Sequence, residues 1–353
     1  MIDLGTISAL DTELELVDSY MREYLKDNLK TKVVGDILQE IMATSGKRLR
    51  PQLILMAGRF GPDYPACRER LCSLGALVEL VHMASLIHDD IVDDSPLRRG
   101  SPTIQARFGK DKAVYAGDLV LSRVLCLIIR DRVWESGYIL GRAIECMCRG
   151  EIGQFNCRFR ANTTVDEYLS NIYGKTAVMF ETACKIGAVE SCCDPQTVRM
   201  MGEFGKQLGY AFQLRDDLLD FLSSETSEGK PVHSDFKEGI FTLPVLYTLH
   251  TPEYGDTLFR LIRSMDGGPV LAEHIAEMEE LVSRAGGVEY AASQIHTRGQ
   301  DAEKILLALP KRDVTDALIA LVRWISAPIV AEHTHPGARG AHNHSAGTHY
   351  KPC

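Results

Sequence analysis

The sequence lacks the patterns that mark several large classes of protein. Its ten cysteines form no CxxC pair and no zinc-ligand spacing, which argues against a zinc-binding module and favours reduced, mostly buried thiols. No run of 18 apolar residues occurs, because Glu79, His82 and Asp118 interrupt the best candidates, so we expect no transmembrane segment. The acidic N-terminus has no signal-peptide pattern. Together these absences predict a cytoplasmic protein.

Basic charge is also scarce. The 39 lysine and arginine residues face 48 acidic residues, and the net charge is −9. A broad cationic face for nucleic acid is therefore not expected, and we predict no nucleic-acid partner. Apolar residues make up 45% and charged residues 25% of the 353 residues, which is ordinary for a globular protein and excludes bulk disorder, collagen and a coiled-coil rod.

The apolar residues recur at helical spacing almost throughout the chain. Between residues 71 and 87 they return every three or four positions, and strict alternation is rare. This pattern predicts an all-α, single-domain bundle of about ten or more helices over residues 1–328. Residues 329–353 hold five of the eleven histidines and no apolar periodicity, so we expect a disordered tail rather than a specific metal site.

The first candidate site is the sequence DDIVD, which follows a mostly apolar stretch. On a helix, Asp89 and Asp93 lie on one face about 5.4 Å apart, with Asp90 beside them. Carboxylates at the C-terminal end of a helix oppose its dipole, which favours a bound cation over an ordinary acidic surface.

A second DDxxD pattern repeats this spacing 127 residues later, at Asp216, Asp217 and Asp220. An all-oxygen ligand set without paired histidine or cysteine suits Mg²⁺ or Mn²⁺. Magnesium usually keeps several waters and takes other ligands from substrate phosphates. Two aspartate motifs that face each other therefore predict a diphosphate held between them by metal ions.

Two small basic clusters accompany the aspartates in this acidic chain. The segment GKRLRP provides Lys47, Arg48 and Arg50, and PLRRG provides Arg98 and Arg99 just after the first aspartate motif. Arginine forks match phosphate oxygens, whereas lysine provides a point charge. Two clusters indicate two anionic subsites, one bridged by metal and one free of it.

With these motifs in order, the chain resembles the trans-isoprenyl diphosphate synthases of the polyprenyl synthetase family, of the long-chain type. The matching segments are GKRLRP (46–51), ELVHMASLIHDDIVDDSPLRRG (79–100), GDLVLSRVL (117–125), GEIGQF (150–155), KTAVMF (175–180), GYAFQLRDDLLDF (209–221) and GKPVHSDFKEGIFTLPVLY (229–247). The resemblance implies helices around a central cavity, a homodimer, and two to three Mg²⁺ ions per site, replaceable by Mn²⁺. It also leaves open a heterodimer with a small regulatory subunit.

The resemblance also implies roles for individual residues. Asp89, Asp90, Asp93, Asp216, Asp217 and Asp220 would hold the metal ions on an allylic diphosphate. Arg98, Lys175 and Lys230 would grip that diphosphate, with Thr176 and Gln213 near the reacting carbons. Lys47, Arg50, His82 and Arg99 would bind isopentenyl diphosphate.

Two positions depart from the usual family pattern. Ser45 stands where relatives often have the first glycine of GGKRLRP, and Ile240 stands where many have the lysine of EGKxTLP. One outer phosphate contact is therefore in question, although some long-chain members of the family also lack this lysine.

The implied reaction is the condensation of isopentenyl diphosphate with an allylic diphosphate, through a 1′-4 trans coupling. The small residues Ala84 and Ser85, just before Asp89, predict an open product tunnel, and Val78 and Gly75 continue the stripe. A product of about six to eight isoprene units, each roughly one helical turn long, is expected, with heptaprenyl diphosphate, a quinone side-chain precursor, as the single choice. The alternative to an open tunnel is tight helix packing by these small residues. The alternative functions are a farnesyl or geranylgeranyl diphosphate synthase, a terpene cyclase, and a non-catalytic partner subunit.

Overall fold

The computed structural model describes residues 10–26, 31–43, 46–98, 100–222, 233–265 and 270–329. The helices are α1 (Asp11–Tyr24), α2 (Lys32–Ala43), α3 (Leu49–Gly58), α4 (Tyr64–Val92), α5 (Ile104–Phe108), α6 (Lys110–Arg130), α7 (Trp134–Cys157), α8 (Val165–Ile172), α9 (Val178–Glu190), α10 (Pro195–Leu222), α11 (Ser234–Lys237), α12 (Leu243–Leu249), α13 (Gly255–Met265), α14 (Ala272–Ala285), α15 (Gly287–Ala308) and α16 (Thr315–Ile325). A π-helical turn, Tyr173–Ala177, joins α8 to α9. The strands of the described residues are β1 (Leu97–Arg98) and β2 (Ser101–Pro102), an antiparallel pair.

The predicted all-α fold is confirmed, and two long helices carry the two aspartate motifs. Helix α4 has 29 residues and α10 has 28. Helix α4 packs against α1, α3 and α6, and α10 packs against α9 and α15. By length and composition α4 could cross a membrane, but 72% of its most apolar window is buried inside the protein. Its apolar character therefore reflects packing within the bundle.

Glycines allow α10 to approach the segment that carries Lys175. A Cβ atom added at Gly209 would lie 2.6 Å from the Cα of Ala177, and one added at Gly205 would lie 2.5 Å from the carbonyl oxygen of Phe180. Real Cβ contacts are not this short, so larger residues would push α10 away. This close packing fixes the second aspartate motif relative to the π-helical turn.

The apolar residues form two core clusters. The larger cluster includes most of α3, α4 and α9, and the smaller one includes Leu214 and Leu218 of α10 together with α12 to α15. The first motif thus extends from the larger core and the second from the smaller one. The histidine-rich tail after residue 329 lies outside the described residues, so its predicted disorder and the domain limits stay predictions.

Candidate active site

The aspartate motifs lie at the C-terminal ends of their helices, as predicted. Asp89 and Asp90 belong to the last turn of α4, and Asp93 directly follows it. Asp216 and Asp217 lie two turns from the end of α10, and Asp220 lies within its last turn. All these carboxylates oppose the helix dipoles, so positive charge is needed nearby to stabilise them.

The charge of Lys175 interacts with carboxylates of both aspartate motifs. Burial opposes the charged form of this lysine, but the carboxylates of Glu151, Asp235 and Asp89 raise its pKa above the ordinary value, and Asp217 adds to the effect. The residue is part of the π-helical turn, a distortion that frequently occurs at functional sites. Lys175 is therefore near an aspartate of each motif.

Burial makes the carboxyl groups of Asp89 and Asp217 hard to ionise. Burial and the nearby Glu151 raise the pKa of Asp89 to about 7 despite Lys175. Burial also raises the pKa of Asp217 to about 6, against the hydrogen bonds from Tyr168 and Gln213. Carboxylates that resist ionisation in this way favour a cation that would neutralise them.

Asp217 is held on both carboxylate oxygens. The Tyr168 hydroxyl donates to Oδ2 over 2.5 Å, and Gln213 Nε2 donates to Oδ1 over 2.6 Å. The Thr176 hydroxyl donates to Gln213 Oε1. Thr176 and Gln213, predicted near the reacting carbons, thus form a buried relay that fixes the orientation of Asp217.

Asp90 points toward a different pocket beside α4. Its Oδ1 accepts a hydrogen bond of 2.8 Å from Arg98 Nε, and the carboxylate is buried. The pocket is lined by Gly46, His82, Asp90 and Arg98 among others. Arg98, predicted at the allylic diphosphate, therefore lies beside His82 and the start of the basic segment, where isopentenyl diphosphate was predicted to bind.

The basic segment divides into residues with different surroundings. Lys47 is exposed, and the Arg50 guanidinium lies 5.7 Å from the centre of the Phe180 ring. Arg48 is buried and pairs with Asp18 over 2.7 Å and with Glu79 over 3.5 Å. The expectation that Arg48 belongs to a phosphate-binding cluster is wrong, because its charge is neutralised inside the fold. Arg99, Lys230 and Ser45 lie outside the described residues.

Sequence reasoning missed four polar residues of the site. Lys175 Nζ donates to Gln154 Oε1 over 3.0 Å, and Glu151 acts on both Lys175 and Asp89. Burial, with Asp217 and Asp220 nearby, raises the pKa of Asp235 well above its ordinary value. Burial and Asp93 raise the pKa of Glu238. These residues lie in the segments GEIGQF and SDFKEGIFTLP, and the acidic residues of these segments are the sequence signal that could have identified them.

The donor set of the site suits a hard divalent cation. Asp89, Asp93, Asp216 and Asp220 contribute further carboxylates to the two motifs, beside Asp90 and Asp217, which are held by Arg98 and by Tyr168. Among the described residues, no three acidic, histidine or cysteine side chains converge closely enough to hold an ion by themselves. This arrangement fits Mg²⁺, which seldom uses a cage made of protein alone and completes its shell with water and phosphate oxygens.

The stripe of α4 before Asp89 is only partly open. His82, Ser85, Leu86 and Asp89, spaced three or four residues apart, are partly accessible, whereas Ala84 is fully buried. Deeper in the bundle, a Cβ atom at Gly75 would lie 3.3 Å from Pro51 Cβ and 3.5 Å from Val17 Cγ2. Gly75 is therefore a helix-packing position, as the alternative interpretation of the small residues required, and Ser85 is the better candidate for a tunnel wall.

Comparisons with known proteins identify the family to which this fold and site belong. The family model described as polyprenyl synthetase matches residues 31–278. The chain belongs to this family and is therefore a prenyltransferase of isoprenoid biosynthesis.

Individual relatives agree on the class and differ in the product that their names state. The chain is 31% identical to heptaprenyl diphosphate synthase component 2 of Bacillus subtilis, over 90% of this chain and 88% of that protein. It is also 31% identical to a short chain isoprenyl diphosphate synthase of Methanothermobacter thermautotrophicus, over 88% of this chain and 95% of that protein. The crystal structure of heptaprenyl diphosphate synthase from Staphylococcus aureus superposes with a TM-score of 0.82 at 28% identity, covering 90% of this chain and 98% of that chain.

Proposed function

We propose that this chain condenses isopentenyl diphosphate with an allylic diphosphate to form a trans long-chain polyprenyl diphosphate of about six to eight isoprene units, heptaprenyl diphosphate being our single choice. The observation that carries the proposal is the pair of aspartate motifs that share Lys175, with a second pocket containing His82 and Arg98 beside them. The similarity to a heptaprenyl diphosphate synthase component supports the product length. A shorter product, as in the relative named a short-chain synthase, is the alternative.

The site residues would bind and orient the allylic diphosphate. Lys175, between the two motifs, would donate to a diphosphate oxygen, and Gln154 would hold its ammonium group in place. The relay from Thr176 through Gln213 would keep Asp217 fixed, so that the second motif needs little rearrangement when substrate binds.

We place Mg²⁺ on Asp89, Asp93, Asp216 and Asp220, with Asp90 and Asp217 supporting them. Bound there, two to three Mg²⁺ ions, or Mn²⁺ in their place, would neutralise the charge that develops on the departing diphosphate. The pocket beside α4 would hold isopentenyl diphosphate with its double bond next to the allylic carbon, which is a proximity effect. The departing diphosphate would accept the proton that completes the coupling.

Replacement of Arg50 or Lys47 by alanine tests the division into two subsites. We expect the KM for isopentenyl diphosphate to rise by roughly tenfold, because a charge-assisted contact to phosphate is lost. Lys175→Ala should act mainly on the KM for the allylic diphosphate. Steady-state kinetics with each substrate varied in turn measures both effects. The assignment is reversed if Lys47→Ala weakens allylic binding and leaves the isopentenyl diphosphate kinetics unchanged.

We propose that the chain acts as a homodimer through α6 and α7. Helix α7 exposes large apolar side chains near both of its ends, of which Tyr138 is 72% and Ile152 64% exposed, and α6 adds Tyr115 and Leu125. Exposed large apolar side chains that group together are typical of an association interface. The relative named component 2 keeps a heterodimer with a small regulatory subunit as the alternative. All six predicted metal-binding aspartates are present, which argues against a non-catalytic subunit.

A further inference from the structure

Ile240 stands where many family members have the lysine of EGKxTLP, so position 240 supplies no cation in this chain. The Ile240 side chain is partly buried and lines a small pocket with Gln154 and Cys157 of α7. Residue 158, which follows Cys157, is an arginine. The position of the missing lysine and the side chain of Arg158 are therefore in adjacent parts of the structure.

Arg158 connects the first aspartate motif to the loop that contains Ile240. One terminal guanidinium nitrogen donates to Asp93 Oδ1 over 3.1 Å and to Glu238 Oε2 over 3.2 Å. Burial and the charge of Asp93 raise the pKa of Glu238, while Arg158 and Lys175 lower it. A single guanidinium thus joins Asp93 of the first aspartate motif to Glu238, and we call the place where these two residues meet the site entrance.

The backbone fixes Arg158 in this position. The next residue, Phe159, has φ of 57° and donates its N–H to the carbonyl oxygen of Gly239 over 2.8 Å. A Cβ atom at Gly239 would lie 2.5 Å from the Phe159 ring, so the two loops are in direct contact. The guanidinium also lies over the Phe155 ring, 5.2 Å from its centre. These contacts restrict Arg158 to the entrance even when Asp93 changes partner.

The Arg158 guanidinium also has a donor that no acceptor in the described residues uses. Arg158 Nε is buried and has no hydrogen-bond acceptor within the described part of the chain. If Asp93 bound a divalent cation, the terminal nitrogen of Arg158 that now donates to Asp93 would also be available to another acceptor. Arginine donors in a planar fork match diphosphate oxygens.

We propose that Arg158 binds the outer end of the allylic diphosphate and replaces the lysine that the family usually has at position 240. The proposal rests on the proposed function, because it requires an allylic diphosphate between the aspartate motifs. It assigns a specificity-determining contact of this chain to the residue that follows α7 instead of the EGKxTLP loop.

The test compares Arg158→Gln with Arg160→Gln. Arg160 is a neighbouring arginine that pairs with Glu167 over 3.1 Å, outside the site. Isothermal titration of geranyl S-thiolodiphosphate, an allylic analogue that does not ionise readily, in the presence of Mg²⁺ gives the Kd without turnover. We expect Arg158→Gln to raise this Kd and the allylic KM by roughly tenfold, with Arg160→Gln at wild-type values.

The decisive arm adds Ile240→Lys to Arg158→Gln. A lysine at position 240 would return a cation to the loop that holds Glu238, so the Kd should return to within about threefold of wild type. If Arg158→Gln proves unstable, Arg158→Met, which keeps a long unbranched side chain without the charge, gives the same comparison with and without Ile240→Lys. An unchanged Kd in Arg158→Gln, or no recovery on adding Ile240→Lys, overturns the inference while wild-type turnover leaves the proposed function standing. An inactive wild type overturns the proposed function itself.

Discussion

Replacement of Asp89 by asparagine is expected to lower kcat by roughly two to three orders of magnitude without unfolding the protein. The substitution keeps the size of the side chain and removes the negative charge that we assign to the metal. Asp216→Asn should give a loss of the same order, because its exposed carboxylate is the counterpart from α10. Rates with saturating substrates and Mg²⁺ measure the effect.

The stability of the Asp89 variant separates function from folding. Because the fold raises the pKa of Asp89 from 3.8 to about 7, stability falls as the pH rises between these values, and asparagine removes this cost. The melting temperature at pH 8 should therefore equal or exceed that of wild type. Asp94→Asn is the matched control, since Asp94 is the exposed neighbour that pairs with Lys110 over 2.8 Å outside the motif. Wild-type turnover in Asp89→Asn or Asp216→Asn would contradict the metal assignment.

Ser85→Phe is expected to shorten the product to about fifteen to twenty carbons, since the new ring would block the product tunnel roughly one helical turn below Asp89. Ser85 is partly accessible, and its hydroxyl bonds to the carbonyl oxygen of His82 over 2.8 Å, so a larger side chain can extend toward the open side. Chromatography of the dephosphorylated products measures the chain length. Ser85→Ala, the control, should keep the wild-type product.

Ala84→Phe tests the same tunnel less cleanly. Ala84 is 0% exposed, so a phenylalanine would overpack the core and cost about 1–3 kcal/mol of stability. We expect a shorter product together with a lower melting temperature. An unchanged product distribution in Ser85→Phe would refute the open stripe beside Asp89.

Much of the site could be predicted because its chemistry is local in sequence. The DDxxD spacing alone puts Asp89 and Asp93 on one face of a helix, and the helical periodicity alone gives the all-α fold. Long-range pairing could not be predicted in the same way. Nothing in the sequence near Arg48 shows that Asp18 and Glu79 neutralise it.

The same limit applies to residues joined by tertiary packing. Tyr168 holds Asp217 across 49 positions, and Arg158, the residue after α7, contacts both Asp93 and Glu238. Gly75 fits the helical stripe of the tunnel by its spacing, yet the bundle packs α1 and α3 against it. Periodicity assigns a residue to a helix face, whereas only the assembled fold shows which neighbour covers that face.

Product analysis of the purified chain alone tests the central claim most directly. The protein is incubated with isopentenyl diphosphate, farnesyl diphosphate and Mg²⁺, and the dephosphorylated products are separated by chain length. We predict polyprenols of about six to eight isoprene units, no product after chelation of the metal, and recovery when Mg²⁺ is restored. Failure to elongate the allylic primer, elongation that persists after chelation, or a product that ends at about fifteen or twenty carbons would contradict the account.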